Sequence, residues 1–369
     1  MSPARLRPAV PFTPPTPSRP PRRIAVVGAG IAGLACARTL AQAGLAVSVF
    51  EAAEVPGGRM ASHASPFGSF DTGAQYFTVR DARFARAIEA TASDLARRWS
   101  ANAVRVLDAG GQVVEAALPA REAHWVAAPD MAALPRRWAE PLAAAGALHL
   151  GAQVLRIERD AFERGRWQLR MQGADEAQAV HAGFDAVLLA LRLSDVRQLL
   201  SFSEPLGELA EPLHTVDVAP CWALMLAFPQ AAQPGPHSFG PQWNAARSTH
   251  HRVAWLARES SKPGRGGVER WTVQASAAWS REHEDDAPAR AAAKLQKAFA
   301  EITGIRAEPA HAQALLWRQA QTVRPLGSSH IWDAAHRVGL CGDWCIGHRV
   351  EDAFVSGLEL ALHVLGRGR

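Results

Sequence analysis

Lysine is scarce in this chain of 369 residues: it occurs only as Lys262, Lys294 and Lys297, so arginine supplies the other 37 of the 40 basic side chains. Tyrosine occurs once, as Tyr76, and the four cysteines are too few for a disulfide framework. No cluster of histidine and cysteine has the spacing of zinc ligands, so no metal site is predicted. No stretch of about 18 uninterrupted apolar residues predicts a membrane span. These absences exclude a disulfide-stapled secreted scaffold and favour a protein of the reducing cytoplasm.

Apolar and aromatic residues are abundant. Hydrophobic residues make up 48% of the chain and tryptophan occurs 12 times, enough for a large core. A chain of this length is expected to form two domains. The first 21 residues contain eight prolines and predict a disordered, partly polyproline tail. The net charge of +5 is too small to predict nucleic-acid binding, and it suits a small anionic substrate.

A glycine-rich turn near the amino terminus carries the strongest local signal. The apolar strand pattern Ile24–Val27 runs into Gly28, Gly30 and Gly33, and a helix and a second strand ending at Glu51 follow. In this context Gly28 makes the tight turn, Gly30 lets the backbone approach a pyrophosphate, and Gly33 lets the helix pack on the strand. The helix N-terminus attracts phosphate, and the Glu51 carboxylate can accept both ribose hydroxyls of an adenosine. The predicted dinucleotide-binding residues here are Gly28, Gly30, Ile31, Ala32, Gly33, Glu51 and Ala52.

Two further segments of small residues favour FAD over NAD. Gly57 and Gly58 let the chain double back under the nucleotide, and Arg59 offers a planar fork to phosphate or flavin. The segment Phe70–Thr78 provides a backbone on which a flat ring can lie. Within it Gln75 is the candidate catalytic residue, a polar group near the isoalloxazine ring. The residues of these segments predicted to contact FAD are Gly58, Arg59, Thr72 and Gly73.

These motifs resemble those of the amine oxidase, phytoene desaturase and protoporphyrinogen oxidase superfamily, whose members use FAD. Within it the chain resembles the renalase group most, over nearly everything from Ile24 onward. The segments that carry this resemblance occur in the same order as in that group: FDTGAQYFTVRDARF (70–84), HWVAAPDMAAL (124–134), WLARESSKPGR (255–265), WTVQASAAWSREH (271–283) and LCGDWCIGHRVEDAFVSGLELA (340–361). The resemblance also implies that a middle strand places the backbone of Val154 next to the adenine.

The carboxy-terminal segment predicts a strand, a loop with Asp343, and a helix that begins at Val350. Asp343 is placed to accept a hydrogen bond from a ribityl hydroxyl. The amides of Val350 and Glu351 at the helix start are placed to stabilise negative charge on a reduced flavin. Cys341 and Cys345 raise covalent attachment of the flavin as an alternative, and non-covalent FAD is the prediction.

The substrate side is less well specified by the sequence. Lys262 and Arg265 lie in a loop rich in glycine and proline, which predicts a flexible cationic surface for a substrate phosphate. Monoamine oxidases, which this chain resembles, commonly place a lysine-held water near the flavin and two aromatic rings around the amine. This chain has no evident lysine on a strand and only one tyrosine, which disfavours simple amine oxidation.

The predicted fold is α/β, with a Rossmann-like FAD-binding domain of the glutathione-reductase type and an inserted α+β substrate domain built on an antiparallel or mixed sheet. Strand patterns at Pro220–Phe228, Val253–Leu256 and Trp271–Ala275 predict that inserted sheet, which would form a lid over the flavin. The FAD-binding domain is predicted to comprise residues 22–80, 145–200 and 310–369. The substrate domain is predicted to comprise residues 81–144 and 201–309.

Together these features predict a cytoplasmic FAD-dependent oxidase that resembles bacterial renalases. By that resemblance it oxidises 2- or 6-dihydro isomers of NAD(P) to NAD(P)+ and reduces O2 to hydrogen peroxide. The first alternative is a flavin amine oxidase or a desaturase of another small substrate. The second is a binding protein that keeps the FAD fold without redox turnover. Neither nucleic acid nor a membrane is an expected partner.

Overall fold

A computed structural model describes residues 22–99, 104–116, 123–172, 179–231 and 243–366. The predicted proline-rich tail lies outside the described residues. The strands of the described residues are β1 (Arg23–Val27), β2 (Ala46–Phe50), β3 (Ser62–Ser65), β4 (Gly68–Asp71), β5 (Ala96–Trp99), β6 (Val104–Leu107), β7 (Val113–Ala116), β8 (His124–Ala127), β9 (Leu148–His149), β10 (Val154–Arg159), β11 (Trp167–Met171), β12 (Ala179–Phe184), β13 (Ala186–Leu189), β14 (Asp217–Phe228), β15 (Ala245–Ser248), β16 (Val253–Arg258), β17 (Glu269–Ala275), β18 (His311–Arg324), β19 (Ile331–Asp333) and β20 (Val338–Leu340). The helices are α1 (Ile31–Gln42), α2 (Ala82–Ala92), α3 (Ala133–Ala144), α4 (Leu193–Ser201), α5 (Ala277–Glu282), α6 (Pro288–Thr303), α7 (Asp343–Ile346) and α8 (Val350–Val364).

The first sheet has six strands in the order β19-β20-β13-β1-β2-β9. All of its pairs are parallel except β19 with β20. Its central strands are short apolar runs that are buried on both faces, as expected for a parallel sheet covered by helices. Strand β13 thus returns to this sheet from a distant part of the sequence, and the Rossmann-like prediction is confirmed.

Two glycines allow helix α1 to pack closely on both sides. A Cβ atom added to Gly33 would lie 1.9 Å from the Gly28 carbonyl oxygen, and one added to Gly357 on α8 would lie 2.0 Å from the Ala32 carbonyl oxygen. Any side chain at either position would push a helix away from its neighbour. The close approach seats α1 on the glycine turn and α8 on α1.

The second sheet has seven strands in the order β18-β14-β17-β16-β15-β6-β7. Its pairs are antiparallel except β15 with β6, so the mixed-sheet prediction is also confirmed. Alternation along β16 gives the sheet two different faces. Leu256 packs with Leu295 and Phe299 of α6 on one face, whereas Trp255 and Ala257 join the core of the first domain on the other.

The packing departs from the predicted domain boundaries in two places. Strand β18, predicted for the FAD-binding domain, pairs with β14 in the second sheet. Helices α2 and α3, predicted for the substrate domain, bury Phe84 and Trp138 against Phe354 of α8. Both departures arise because the partner of an apolar face lies far away in the sequence. None of the helices in the described residues is both long and apolar enough to cross a membrane.

Candidate active site

A cavity of about 1760 Å³ lies between the two sheets. Pockets for single small ligands are usually about 300–1,000 Å³, so this cavity has room for a dinucleotide and a second molecule. Its walls come from the glycine turn after β1, the end of β2, the segment 57–61, and strands of the second sheet. The predicted cofactor residues that line it are Gly28, Gly30, Ile31, Ala32, Glu51, Ala52, Gly58, Arg59, Thr72, Gly73, Val154, Asp343 and Val350.

The glycine turn leaves open space where the sequence predicts a pyrophosphate. Gly28 has a φ of +103°, and a Cβ atom added there would lie 2.4 Å from the Ala190 carbonyl oxygen. A Cβ atom added to Gly30, by contrast, would meet nothing within 4 Å. Gly28 is thus required by the fold, whereas Gly30 keeps the cavity side of the turn free for a ligand. This open space fits a phosphate bound at the start of α1.

The Glu51 carboxylate is held in place by backbone amides. One of its oxygens accepts a hydrogen bond from the Ala29 amide at 2.7 Å and the other accepts from the Ala53 amide at 3.0 Å. A carboxylate oxygen accepts more than one hydrogen bond. Glu51 therefore keeps acceptor capacity toward the cavity in a fixed orientation, as binding of two ribose hydroxyls requires.

Arg59 and Asp343 are 284 positions apart in the sequence and form an ion pair in the cavity wall. The Arg59 guanidinium donates to both Asp343 oxygens, at 2.8 and 2.5 Å, and the Thr322 hydroxyl donates to Asp343 at 3.4 Å. The Gly73 position closes this corner, since an added Cβ atom there would lie 2.1 Å from the Arg59 carbonyl oxygen. The structure thus brings together Arg59, Gly73 and Asp343, which lie in three separate motifs of the sequence.

Two of the predicted cofactor residues, among those the structure describes, do not line the cavity. Gly33 lies behind the turn, where it serves the close packing described above. The Glu351 side chain is buried and accepts hydrogen bonds from the amides of Arg80 and Asp81, each at 2.5 Å. Glu351 therefore ties the start of α8 to residues 80–81 and does not point its carboxylate at a ligand.

The prediction that Lys262 and Arg265 form a flexible cationic surface is wrong. Both side chains are buried, with exposed fractions of 0% and 1%. The Lys262 ammonium lies 2.8 Å from Asp71 and 3.0 Å from Glu259, and the Arg265 guanidinium pairs with the same two carboxylates. We call these four residues the buried charge cluster. The cluster is electrically balanced inside the protein and has no surface to offer a phosphate.

The two carboxyl groups of the buried charge cluster respond differently to their surroundings. Burial alone would raise the pKa of Asp71, but the nearby Lys262 and Arg265 cations lower it to about 2. Burial raises the pKa of Glu259, and the same two cations oppose that rise. Asp71 is therefore ionised at neutral pH.

Gln75 lies where the buried charge cluster meets the cavity. Its Nε2 donates to the Asp71 carbonyl oxygen, and its Oε1 accepts from the Lys262 ammonium at 3.3 Å. The amide is thus fixed at both ends while the residue lines the cavity. The role of Gln75 near an isoalloxazine ring stays a prediction, and these contacts explain how the chain would hold it there.

Aromatic side chains that the sequence did not place individually also line the cavity. The Tyr76 ring centroid lies 4.2 Å from that of His124 and 5.6 Å from that of Trp255. The Trp317 indole donates to the Thr72 carbonyl oxygen at 3.1 Å. Most tryptophans are core residues, and only tertiary contacts separate Trp255 and Trp317 from them. The position of Tyr76, directly after Gln75, was the one available signal.

Cys341 and Cys345 are both buried and do not line the cavity. Burial raises the pKa of Cys345 to about 12 and that of Cys341 well above its ordinary value. A thiol becomes a nucleophile only as its thiolate. These cysteines are therefore unsuited to covalent attachment of a flavin.

Acid precipitation of the purified protein is accordingly expected to release all of its flavin into the supernatant. The absorbance of supernatant and pellet at the flavin's visible maximum gives the distribution. Yellow colour retained in the washed pellet would contradict non-covalent binding, and peptide mapping would then identify the attached residue.

The parallel sheet, the glycine turn, the ribose-type acid and the second sheet across the cavity define the class of two-domain FAD-dependent oxidoreductases. The space at Gly30 and the fixed Glu51 carboxylate are the structural features that fit this cofactor.

The chain belongs to the family of flavin containing amine oxidoreductases, whose pattern matches residues 128–365. Residues 26–89 match an NAD(P)-binding Rossmann-like domain. Hydroxyneurosporene desaturases of Cereibacter sphaeroides and Rhodobacter capsulatus are 48% and 46% identical over 59 and 65 residues, which is 16% and 17% of this chain. These matches cover only 12% and 13% of the two desaturases.

Solved structures share the fold at low identity. A candidate protoporphyrinogen oxidase from Exiguobacterium sp. 255-15 aligns with a TM-score of 0.69 and 15% identity over 93% of this chain and 98% of its own. A putrescine oxidase bound to putrescine aligns with a TM-score of 0.68 and 12% identity over 94% and 99%. These structures share the fold, and the family match makes the chain an FAD-dependent oxidoreductase of the amine oxidase type.

Proposed function

We propose that the chain is an FAD-dependent oxidase of dihydronicotinamide dinucleotides. The reaction is dihydro-NAD(P) + O2 + H+ → NAD(P)+ + H2O2, so that the substrate loses two electrons and oxygen gains them. Bound FAD supplies the redox chemistry by accepting a hydride from the substrate and passing the electrons to oxygen. The protein then needs to hold the cofactor, stack the substrate ring and bind the substrate's phosphates.

The observation that carries this proposal is the charge of the cavity lining. Arg247 on β15 lines the cavity beside the rings of Tyr76 and Trp255, and Arg80 and Arg349 line it at the start of α8. The acids that line the cavity are Glu51, Asp343, Glu158 and Asp195, none of which lies on the second sheet. No lysine is among the described residues that line it. Such a wall attracts an anionic planar substrate and repels an alkylammonium ion.

The cofactor is proposed to lie along the side of the cavity formed by the first domain. The Glu51 carboxylate would bind the ribose hydroxyls, and the turn at Gly28 and Gly30 would bind the pyrophosphate. Arg59 and Asp343, already paired, would contact the ribityl or phosphate groups, and the amide of Val350 would face the flavin. Val154 would lie beside the adenine.

Anaerobic mixing tests the substrate class directly. The FAD-loaded protein should lose its visible flavin absorbance rapidly with 2- or 6-dihydro-NAD(P), and slowly or not at all with putrescine, benzylamine or an apolar polyene. Admission of air should restore the absorbance and generate one equivalent of hydrogen peroxide per substrate. Rapid bleaching by an amine or a polyene alone would favour the amine oxidase or desaturase alternative. A purified protein that neither contains nor takes up flavin would favour the binding-protein alternative.

A further inference from the structure

Two buried hydrogen-bonding groups in the cavity wall have no partner among the residues that the structure describes. The Trp255 indole nitrogen is one and the Thr78 hydroxyl is the other. Trp255 is 9% exposed and Thr78 is 6% exposed, and both residues line the cavity. A buried polar group without a partner is costly, so such groups in a cavity wall point to a ligand that satisfies them.

An indole N–H only donates, so its ligand must offer an acceptor. An alkylammonium ion has three donors and no acceptor, and it would leave the Trp255 donor unsatisfied. A ring carboxamide offers a carbonyl oxygen to the indole and an amino group to the Thr78 hydroxyl oxygen. The rings of Tyr76 and His124, with centroids 4.2 Å apart, form an aromatic surface next to Trp255.

Strand register places a cation beside this indole. Arg247 on β15 is directly opposite Trp255 on β16 in an antiparallel pair. Side chains at opposed positions project from the same face of a sheet. That face is the one toward the first domain, since Ala245 and Trp255 belong to its core whereas Ala246 and Leu256 belong to the core beneath α6. Arg247 itself is exposed and lines the cavity.

We propose that Trp255, Thr78 and Arg247 form a substrate-recognition subsite for a planar ring that carries a carboxamide and is linked to phosphate. The Trp255 indole and the Thr78 hydroxyl bind the carboxamide, and the Arg247 guanidinium binds the phosphate. This inference rests on the proposed function and deepens it, because it assigns the substrate phosphate to Arg247 in place of Lys262 and Arg265.

Equilibrium binding to the oxidised, FAD-loaded protein separates the two halves of the subsite. The probes are NAD+, which has ring and phosphates, nicotinamide, which has the ring alone, and ADP-ribose, which has the phosphates alone. Thr78→Val keeps the side-chain shape and removes the hydroxyl, Trp255→Phe keeps an aromatic ring and removes the N–H donor, and Arg247→Gln removes the charge. Arg306→Gln is the matched control, because Arg306 is exposed and does not line the cavity.

Trp255→Phe and Thr78→Val should each raise the Kd of NAD+ and of nicotinamide about tenfold and leave the Kd of ADP-ribose unchanged. Arg247→Gln should raise the Kd of NAD+ and of ADP-ribose about tenfold and leave the Kd of nicotinamide unchanged. The effect should be smaller at high salt. Arg306→Gln should match the parent protein with all three probes. Equal Kd values for the parent and the three subsite variants would overturn the proposal. So would a changed flavin spectrum in ligand-free Trp255→Phe, because the indole would then be bonded to the cofactor.

The outcome is distinguishable from that of the proposed function. If NAD+ binding depends on the three residues but no dihydronicotinamide bleaches the flavin, the subsite stands and the proposed reaction fails. If dihydronicotinamides bleach the flavin and all variants bind and turn over like the parent, the reaction stands and the subsite fails.

Discussion

Replacing Glu51 with arginine is expected to give a folded protein that retains no FAD. The carboxylate that would bind two ribose hydroxyls is lost, and a hydrogen bond to a charged group contributes about 1.5–3 kcal/mol. Loss of two such bonds corresponds to a more than 100-fold higher Kd, since about 1.4 kcal/mol is tenfold. The guanidinium would also face the Ala29 and Ala53 amides, which donate to Glu51 and offer no acceptor. We expect the flavin-to-protein absorbance ratio after gel filtration to fall below about one-tenth of the parent value.

Glu54→Arg is the matched control for this substitution. Glu54 lies three positions after Glu51, is exposed and does not line the cavity. The same change of charge there should therefore leave the FAD content unaltered. Glu51→Gln keeps one acceptor oxygen and should retain an intermediate amount. Far-UV circular dichroism checks that each variant is folded. A fully loaded Glu51→Arg protein would contradict the ribose assignment.

The nucleotide half of the site was predictable because its signals are local. The strand, the glycine turn, α1 and Glu51 occupy one stretch of 28 residues, and each residue has a backbone reason for its position. The chain's own sequence order therefore specifies which groups meet. The ion pair between Arg59 and Asp343 joins two such motifs, and their resemblance to a known family was enough to predict both as ligands of one cofactor.

The substrate half was predicted poorly because its contacts are set by tertiary packing. The loop that carries Lys262 is rich in glycine and proline, which is typical of surface turns, yet its cations are neutralised by Asp71, 191 positions away from Lys262, and by Glu259. Alternation along β16 predicts that Trp255 and Ala257 share a face, but nothing local tells which face meets the cavity. Burial of charge and choice of sheet face both depend on partners that are remote in the sequence.

Removal of the Lys262 ammonium is expected to destabilise the fold strongly. Lys262→Met keeps an apolar chain of similar length, but Asp71 and Glu259 are then left with Arg265 as the remaining cation of the buried charge cluster. Removing one partner from a buried ion pair costs about 3–5 kcal/mol, because the other charge stays buried without compensation. Urea unfolding of the FAD-saturated protein, followed by circular dichroism, should show a loss of this size in the free energy of unfolding.

Lys297→Met provides the comparison within the same residue type. Lys297 lies on α6 with 71% of its side chain exposed and only a 4.0 Å contact with Glu301, so its loss should change the free energy of unfolding by less than about 0.5 kcal/mol. Should Lys262→Met fail to fold, the double variant Lys262→Met with Glu259→Gln should recover soluble protein, since it removes one buried carboxylate together with its cation. Equal stability of Lys262→Met and Lys297→Met would show that the ammonium is not required, and the double variant would then be no more stable than Lys262→Met alone. If Glu259→Gln restores part of the free energy of unfolding that Lys262→Met removes, the loss is electrostatic. A packing defect at residue 262 would persist in the double variant.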